Sequence, residues 1–295
     1  MDYARFVRDL RAAYEHRGGI KTLHLGGLTS DWFAQIQKEA RSIIEQGGSS
    51  DVTAANHVTN WTRPSGEVRQ FSLFNMSGRS DEYTGDYGYR GDARKKRLVF
   101  PHFEGIKRFA ALFGSSLRNL RLNGMGTDSK LSAHEEDSIS PHRFGADHIV
   151  SFHLPIFTND QAYVYLDDER FQYHAGQIYF FNHGCVHAAA NFAPAARYHL
   201  VLDCFLERTL FDDLFPGSPS PDAGFLKTSW AGAEMKGEPY TFPEFVCEDG
   251  RVITGGINYG RKAPTAINFY KCNYPSLFKW ASAPKAQPHE NRSTP

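Results

Sequence analysis

Histidines and carboxylates are concentrated in the segment LSAHEEDSISPH, residues 131–142. Imidazole and carboxylate groups are the ligands that non-haem iron and similar metals take from proteins. In an extended strand, residues i and i+2 lie on the same face. A strand here would therefore place His134 beside Glu136, while Glu135 and Asp137 would lie on the other face. The segment predicts two ligands of a metal site, with Glu136 as the acid.

A second His-x-acid pair, His102-Phe103-Glu104, has the same spacing in a different predicted element. Pro101 suits the first turn of a helix. Two residues apart on a helix point to nearly opposite sides and cannot share an ion. We therefore do not expect a metal site at this pair.

A catalytic centre with two histidines and one carboxylate needs another imidazole, and such a centre leaves open positions on the metal. The segment GQIYFFNHGCVH, residues 176–187, offers His183 and His187 just after an apolar run. Periodicity does not choose between them. The sequence pattern by itself therefore leaves two candidates for the third ligand.

The elements that must position these residues follow from the hydrophobic spacing. Apolar residues at helical intervals predict three helices before residue 117, each ended by glycine: one capped by Asp2, one by Ser30, and one beginning at Pro101. Residues 57–78 alternate and turn like a pair of strands. The first part of the chain, residues 1–116, is thus predicted to be helical with one strand pair.

From residue 117 the pattern changes to short extended runs separated by turn residues. Six such strands are predicted, at residues 117–124, 148–157, 161–168, 169–176, 177–183 and 197–206. Many short strands with no helix between them indicate an antiparallel sandwich or barrel. The expected fold is mainly β with flanking helices, around a double-stranded β-helix (jelly roll, cupin-like) core.

The domain prediction follows from these patterns. We expect one domain over residues 1–280, with the core at 117–208 and a C-terminal extension at 209–280. Residues 281–295 are rich in proline and polar residues and are predicted to be a disordered tail.

Composition excludes several classes of partner. The 33 basic and 33 acidic residues give a net charge of zero, so we expect neither nucleic-acid nor membrane binding. The four cysteines are widely spaced, which favours packing roles and a cytoplasmic location over a disulfide framework. An aromatic fraction of 14% suits a cleft for a small molecule.

Several motifs together resemble the aspartyl/asparaginyl β-hydroxylases, including bacterial proline hydroxylases, which are iron(II)/2-oxoglutarate oxygenases. The similarity covers roughly residues 57–208 and rests on FSLFNMSG, LRNLRL, AHEE and SFHLPI. Its main basis is GQIYFFNHGCVHAAANFAPAARYHLVLD, where the family has a glycine, a ligand histidine, an arginine and an R-x-H-L-x-x-D run. In this chain these are Gly176, His187, Arg197 and the run that ends at Asp203. The resemblance selects His187 over His183.

The resemblance implies a function for each of these residues. Iron(II) is expected on His134, Glu136 and His187. 2-Oxoglutarate is expected to bind through Arg197, with His199 and His153 lining the same cavity. The implied reaction consumes dioxygen, converts 2-oxoglutarate into succinate and CO2, and hydroxylates an unactivated C–H bond.

One departure from the family concerns the carboxylate, since proline hydroxylase-like members usually have His-x-Asp where this chain has His134-Glu135-Glu136. Glutamate is an accepted ligand in other oxygenases of this class, so the metal prediction is unchanged. A carboxylate here also argues against halogenation. The longer side chain is expected to affect the position of the substrate.

Substrate recognition is assigned to arginines by analogy, with Arg118 and Arg121 as the candidates before the metal strand. The expected substrate is a small amino-acid-like or amino-acid-derived molecule, of the kind that natural-product biosynthesis uses. Two alternatives remain open at the level of sequence. One keeps both cofactors but gives desaturation, epoxidation or cyclisation, and the other is a jelly-roll isomerase or ligand-binding module that does not use 2-oxoglutarate.

Overall fold

The computed structural model describes residues 3–14, 19–51, 67–81, 95–134, 149–185, 187–214, 225–226, 233–240, 245–247, 252–253 and 278–280. The helices are α1 (Tyr3–Tyr14), α2 (Ser30–Gln46), α3 (Glu104–Ala111) and α4 (Arg208–Leu214), with a 3₁₀ turn at Gly114–Ser116. None of the helices in these ranges is long and apolar enough to cross a membrane.

Strands make up most of the described chain. They are β1 (Thr22–Leu28), β2 (Ser50–Asp51), β3 (Val68–Ser72), β4 (Phe74–Asn75), β5 (Arg97–Leu98), β6 (Leu117–Met125), β7 (Ser129–His134), β8 (Ile149–Phe157), β9 (Ala162–Leu166), β10 (Glu169–Phe171), β11 (Gln177–Phe181), β12 (His187–Asn191), β13 (Arg197–Phe205), β14 (Phe225–Leu226), β15 (Ala233–Glu234), β16 (Glu238–Pro239), β17 (Phe245–Cys247), β18 (Val252–Ile253) and β19 (Phe278–Trp280).

Two antiparallel sheets form the core. The larger has the order β14-β1-β11-β8-β13-β6-β3-β2, with β15 also paired to β1, and the smaller has the order β16-β10-β9-β12-β7. Val164 and Leu166 of the smaller sheet pack with Tyr179 and Phe181 of the larger one. The sheets therefore face each other, and the predicted jelly-roll fold with flanking helices is confirmed.

Alternation along the strands of the larger sheet separates its two faces. On β8 and β13, Phe152 and Leu200 belong to a large apolar cluster that includes Phe6 of α1, Trp32 of α2 and Phe109 of α3. The helices thus cover the outer face of the sheet. The residues between those apolar positions point to the inner face, toward the smaller sheet.

The six predicted strands are all present, as β6, β8, β9, β10, β11 and β13. Two strands of the core, β1 and β12, were not predicted. β1, with the sequence TLHLGGL, and β12, with HAAAN, have little β-propensity of their own. Each of them lies between two partner strands. β1 pairs with β11 and β14, and β12 pairs with β7 and β9. Pairing with their neighbours therefore explains these strands better than local propensity does.

The predicted starts of two helices were wrong. The second helix has Thr29 at its N-cap instead of Ser30, with no hydrogen bond from the cap side chain. The third begins at Glu104 and not at Pro101. A residue of α2 stabilises this start, since Glu39 accepts hydrogen bonds from the amides of Gly105 and Ile106 at 2.9 and 2.8 Å.

Several other predictions concern residues outside the described ranges. They include residues 57–66 of the strand pair predicted over 57–78, the cap at Asp2 and the tail at 281–295. The rest of that predicted pair contains β3 and β4. The division into one domain with an extension stays a prediction. In the described part, β1 and β3 join the larger sheet from before residue 117, and β14 and β15 join it from after residue 208.

Candidate active site

Polar side chains cover much of the inner face of the larger sheet. Buried members of this face are Asn119, Arg121, Ser151, His153, Arg197, His199 and Asp203. They come from three adjacent strands, β6, β8 and β13. Because burying polar groups is costly unless they are bonded or used, this face is the natural candidate for the site.

His187 is at the start of β12, in the smaller sheet, and is buried. Its Nδ1 lies 2.9 Å from the carbonyl oxygen of Cys185. A carbonyl only accepts, so Nδ1 carries the proton and Nε2 is the nitrogen with the lone pair. Fixing a ligand histidine in this way is typical of metal sites. His187 therefore has the tautomer that a metal ligand needs.

The register of the smaller sheet pairs the two strands that carry the predicted histidine ligands. His134 at the end of β7 is directly opposite His187 of β12. Glu136, the predicted carboxylate, lies in 135–148, outside the described residues, and the ranges described contain no group of three metal-binding side chains.

His183 is close to the same place. Its ring is buried and stacks on that of His187 at 5.3 Å with an interplanar angle of 20°. Both rings also contact Phe181. The structure thus brings the two candidate histidines together, and only the His187 ring has its Nδ1 bonded to a main-chain carbonyl among the hydrogen bonds of the described residues.

A buried cation lies at the beginning of β13. Arg197 is 4% exposed, and burial lowers the pKa of its guanidinium to about 10. Among the described residues no carboxylate pairs with it, and its buried Nε has no hydrogen-bond partner. A guanidinium pairs with a carboxylate through two parallel hydrogen bonds. The free Nε therefore fits the far carboxylate of a 2-oxo acid.

Two histidines adjoin this arginine. Arg197 Nη1 donates to His199 Nε2 at 3.5 Å, and His199 Nδ1 lies 3.5 Å from His153 Nδ1. Burial, together with the charge of Arg197, holds the pKa of both imidazoles well below the usual value. Both are neutral at pH 7, so this part of the site has Arg197 as its cation.

The two predicted substrate arginines differ in placement. Arg121 is buried on the inner face, and its Nη2 lies 2.5 Å from Asp203 Oδ2. Arg118 is only half-buried, and alternation along β6 puts it on the other face. The structure therefore places Arg121, and not Arg118, on the same face as the histidines.

Asp203 and Lys96 belong to the site and were not among the predicted residues. Asp203 also accepts from Ser151 Oγ at 2.6 Å and from Asn119 Nδ2 at 3.2 Å. Burial raises the pKa of Asp203, but the charges of Arg121 and His183 outweigh this and hold it below its usual value. Alternation along R-x-H-L-x-x-D would have identified Asp203.

Lys96 belongs to the same polar cluster, although it lies outside β6, β8 and β13. Its Nζ donates to Asn119 Oδ1 at 2.7 Å and to the carbonyl of Arg118 at 3.0 Å. The lysine is buried. It lies at residues 95–98, which carry no motif, so nothing in the sequence pattern pointed to it.

Comparisons with known proteins place this site in context. The family model described as aspartyl/asparaginyl beta-hydroxylase matches residues 112–206. This range contains His134, Glu136, His187 and Arg197. None of the curated proteins compared by sequence matches the chain.

Solved structures with related folds have low identity to this chain. A 2OG-Fe(II) oxygenase family oxidoreductase from Burkholderia pseudomallei has 17% identity and a TM-score of 0.32, over 48% of this chain and 66% of that one, just under two thirds of its length. A prolyl-4-hydroxylase from Pseudomonas putida has 15% identity and a TM-score of 0.37, over 69% and 98% of the two chains. The epimerase SnoN from nogalamycin biosynthesis has 14% identity and a TM-score of 0.42, over 78% and 96%.

The family model carries the assignment, because the structural similarities are too weak to show what this chain binds. The match covers the strands that hold the candidate ligands and the buried arginine. The family resemblance of the sequence is thereby confirmed. Over residues 112–206 the chain is similar to the aspartyl/asparaginyl β-hydroxylases.

Proposed function

We propose that the protein hydroxylates an unactivated C–H bond of a small amino-acid-like substrate, with iron(II) held by His134, Glu136 and His187. The observation that carries the proposal is the inner surface of the jelly roll, which has a tautomer-fixed histidine in one sheet and a buried arginine without a carboxylate partner in the other. These are the groups needed to hold a metal and a 2-oxo acid together.

Each of the chain's own residues has a separate role in binding the cofactors. His187 presents Nε2 to the metal because Cys185 holds its Nδ1 proton. Arg197 pairs with the far carboxylate of 2-oxoglutarate, and His199 and His153 line the pocket beside it. When bound, the two cofactors supply the oxidising chemistry, in which dioxygen and 2-oxoglutarate give succinate, CO2 and one oxygen atom for the substrate.

A substrate with a carboxylate is supported by the position of Arg121. Arg121 and Asp203 lie on the inner face, and Asp203 is opposite Ser151, which is opposite Phe181 of β11. The Phe181 ring is 5.1 Å from that of His187. The Arg121 cluster therefore lies near the candidate metal position, where a substrate must approach. A cation there suits a carboxylate or zwitterion.

Alanine variants of the three ligands test the metal site. His134→Ala, Glu136→Ala and His187→Ala are each expected to lose iron and to abolish succinate release, since each removes one of three protein ligands. Asp137→Ala and His183→Ala serve as neighbouring controls that keep the iron. Iron content and succinate release from the purified proteins are the measurements. Full iron binding by Glu136→Ala, with loss in Asp137→Ala, would contradict the ligand set.

Substrate class is tested by turnover. Free amino acids, short peptides and amino-acid-derived metabolites are incubated with the enzyme, iron(II), ascorbate and 2-oxoglutarate. We expect one group to raise succinate release above the uncoupled background and to give a product heavier by one oxygen atom. A product lighter by two hydrogens would mean desaturation or ring closure. No stimulation by any of these compounds would contradict the substrate class.

A further inference from the structure

The turn that leads from β11 toward His187 is organised by one buried side chain. Asn182 follows the last residue of β11 and is 1% exposed. Its Oδ1 accepts from the amide of Gly184 at 2.8 Å, and its main-chain carbonyl accepts from the amide of Cys185 at 3.1 Å. Asparagine favours such turns because its side chain can bond the backbone two residues ahead. Asn182 therefore fixes the path of residues 183–185.

Asn182 also attaches this turn to the main chain just before β1. Its Nδ2 donates to the carbonyl of Ile20 at 2.6 Å, and its own amide donates to the carbonyl of Lys21 at 3.0 Å. The Ile20 side chain belongs to the large apolar cluster under the helices. The turn is therefore bound to the core of the larger sheet, 160 or so residues away along the chain.

The path of this turn decides where the carbonyl of Cys185 points. That carbonyl lies 2.9 Å from His187 Nδ1, and the Cys185 side chain is buried in the apolar cluster between the sheets. A carbonyl in this position keeps the proton on Nδ1 and leaves Nε2 for the metal. A series of hydrogen bonds thus leads from the main chain before β1, through Asn182 and Cys185, to the ring of His187.

The ring contacts of His187 depend on the same turn. Phe181 packs edge-on against the His187 ring at 5.1 Å and 87°, and His183 stacks on it at 5.3 Å and 20°. Asn182 stands between these two residues in the sequence. A change in its conformation would therefore move the carbonyl partner and both neighbouring rings of His187 together.

We propose that Asn182 is a positioning residue of the iron site, which acts through Cys185 to orient His187 and so sets the affinity for iron(II). Asn182 is not itself a ligand, because both ends of its side-chain amide are bonded to the main chain. This inference rests on the proposed function, since it takes His187 to be one of the iron ligands.

A second buried asparagine of the chain provides a matched control. Asn75 is fully buried at the end of β4, where its Nδ2 donates to the carbonyl of Arg79 at 2.8 Å and its Oδ1 accepts from the amide of Gly78 at 2.7 Å. The bonding resembles that of Asn182, but this turn carries no proposed iron ligand. Asn75→Ala should therefore lower stability without changing the affinity for iron.

Metal affinity tests the role of Asn182. The dissociation constant for iron(II) is measured without oxygen, by competition with a coloured chelator, and melting temperatures at saturating zinc compare stabilities. Asn182→Ala should weaken iron binding by about tenfold or more, because losing a group that orients a metal ligand typically costs about 10–100-fold. Asn75→Ala should bind iron like the parent protein, even if it melts at the same temperature as Asn182→Ala.

A milder variant keeps the test decisive if Asn182→Ala does not fold. Asn182→Ser retains a side-chain oxygen that can accept from the amide of Gly184, since serine forms the same kind of turn more weakly. It is too short to bond the carbonyl of Ile20. Its iron affinity should lie between those of the parent and Asn182→Ala. An affinity equal to that of the parent would mean that the anchor at Ile20 does not matter.

The hydrogen bond to Cys185 gives a readout that stability alone does not change. In ¹⁵N-histidine-labelled protein loaded with zinc, the Nδ1 proton of His187 is the ring signal that disappears in His187→Ala. We expect this proton to exchange slowly with water in the parent and in Asn75→Ala, and at least several times faster in Asn182→Ala. An unchanged exchange rate in Asn182→Ala would overturn the inference, because Cys185 would then hold the ring without Asn182.

The outcomes separate this inference from the proposed function. If His187→Ala binds iron as tightly as the parent, the proposed ligand set itself is wrong. If His187→Ala loses iron while Asn182→Ala keeps the parent affinity, only the role of Asn182 is wrong. Equal loss of iron in Asn182→Ala and Asn75→Ala would also overturn that role, since affinity would then follow stability and not the orientation of His187.

Discussion

At the scale of single residues, Arg197 is the most informative side chain of the site. It is buried, adjoins two neutral histidines and keeps a buried Nε without a partner. Burying a cation without a partner costs free energy, and binding of an anion offsets this cost. Arg197 differs in this from Arg121, whose guanidinium is paired with the carboxylate of Asp203, and a buried cation without such a partner marks a binding site more clearly.

We expect Arg197→Ala to weaken 2-oxoglutarate by more than about tenfold, because loss of one partner of a buried charge pair costs about 2–5 kcal/mol. Iron content should not change, since Arg197 is not one of the three proposed iron ligands. Arg197→Lys should recover only part of the affinity, because an ammonium group cannot form two parallel bonds. The apparent KM for 2-oxoglutarate and the iron content are the measurements. Equal affinity in Arg197→Lys and the parent would contradict a two-bond contact.

At the scale of elements, the junction between α2 and α3 shows how a buried carboxylate positions a helix. Glu39 is 8% exposed and accepts from the amides of Gly105 and Ile106. These are amides that a helix leaves unpaired at its start, and the helix dipole also favours a negative charge there. The gap beside Gly105 is small, since a Cβ at this position would lie 2.9 Å from Glu39 Oε2.

Replacing this carboxylate should destabilise the fold. We expect Glu39→Ala to lower the free energy of unfolding by about 2–4 kcal/mol, because it leaves two buried amides without an acceptor. Glu39→Gln should cost less, since one oxygen remains. Glu45→Ala, an exposed position on the same helix, should stay within about 0.5 kcal/mol of the parent. Urea unfolding gives all three values. A loss in Glu39→Ala no larger than in Glu45→Ala would show that the cap contributes nothing.

The sequence predicted those strands and helices whose pattern is local. Alternation identified β6, β8, β11 and β13, which bury alternate apolar residues against the helices, and β9 and β10, whose apolar residues pack between the sheets. It did not identify β12, since an alanine-rich segment such as HAAAN carries no periodic signal. The ligand residue His187 begins that very strand, so periodicity alone could not separate it from His183. The difference lies in a hydrogen bond to Cys185, which depends on the folded turn.

At the scale of the whole molecule, the neutral histidines link stability to pH. His153 and His199 are neutral in the folded protein because burial, with the charge of Arg197, lowers their pKa. In the unfolded chain a histidine has a pKa of about 6.5. Below that pH the unfolded chain binds more protons than the folded one, so the free energy of unfolding falls as the pH falls.

We therefore expect the parent protein to lose more stability between about pH 7 and pH 5 than His199→Gln does, by about 1–2 kcal/mol for the one titrating group removed. Above about pH 7.5 the two should have parallel profiles, which serves as the internal control. Urea unfolding at a series of pH values measures both. Parallel profiles down to pH 5 would show that His199 takes up its proton in the folded state as readily as in the unfolded one.

The pairing of β1 with β11 has a consequence for how the chain is made. Thr22 Oγ1 donates to the carbonyl of Phe180, 158 residues further along the sequence. At a ribosomal rate of about 5–20 residues per second, β1 waits on the order of ten seconds for its partner strand to be synthesised. During that time TLHLGGL is an unpaired apolar edge, the kind of segment that molecular chaperones bind and that sheets of high contact order expose while they fold.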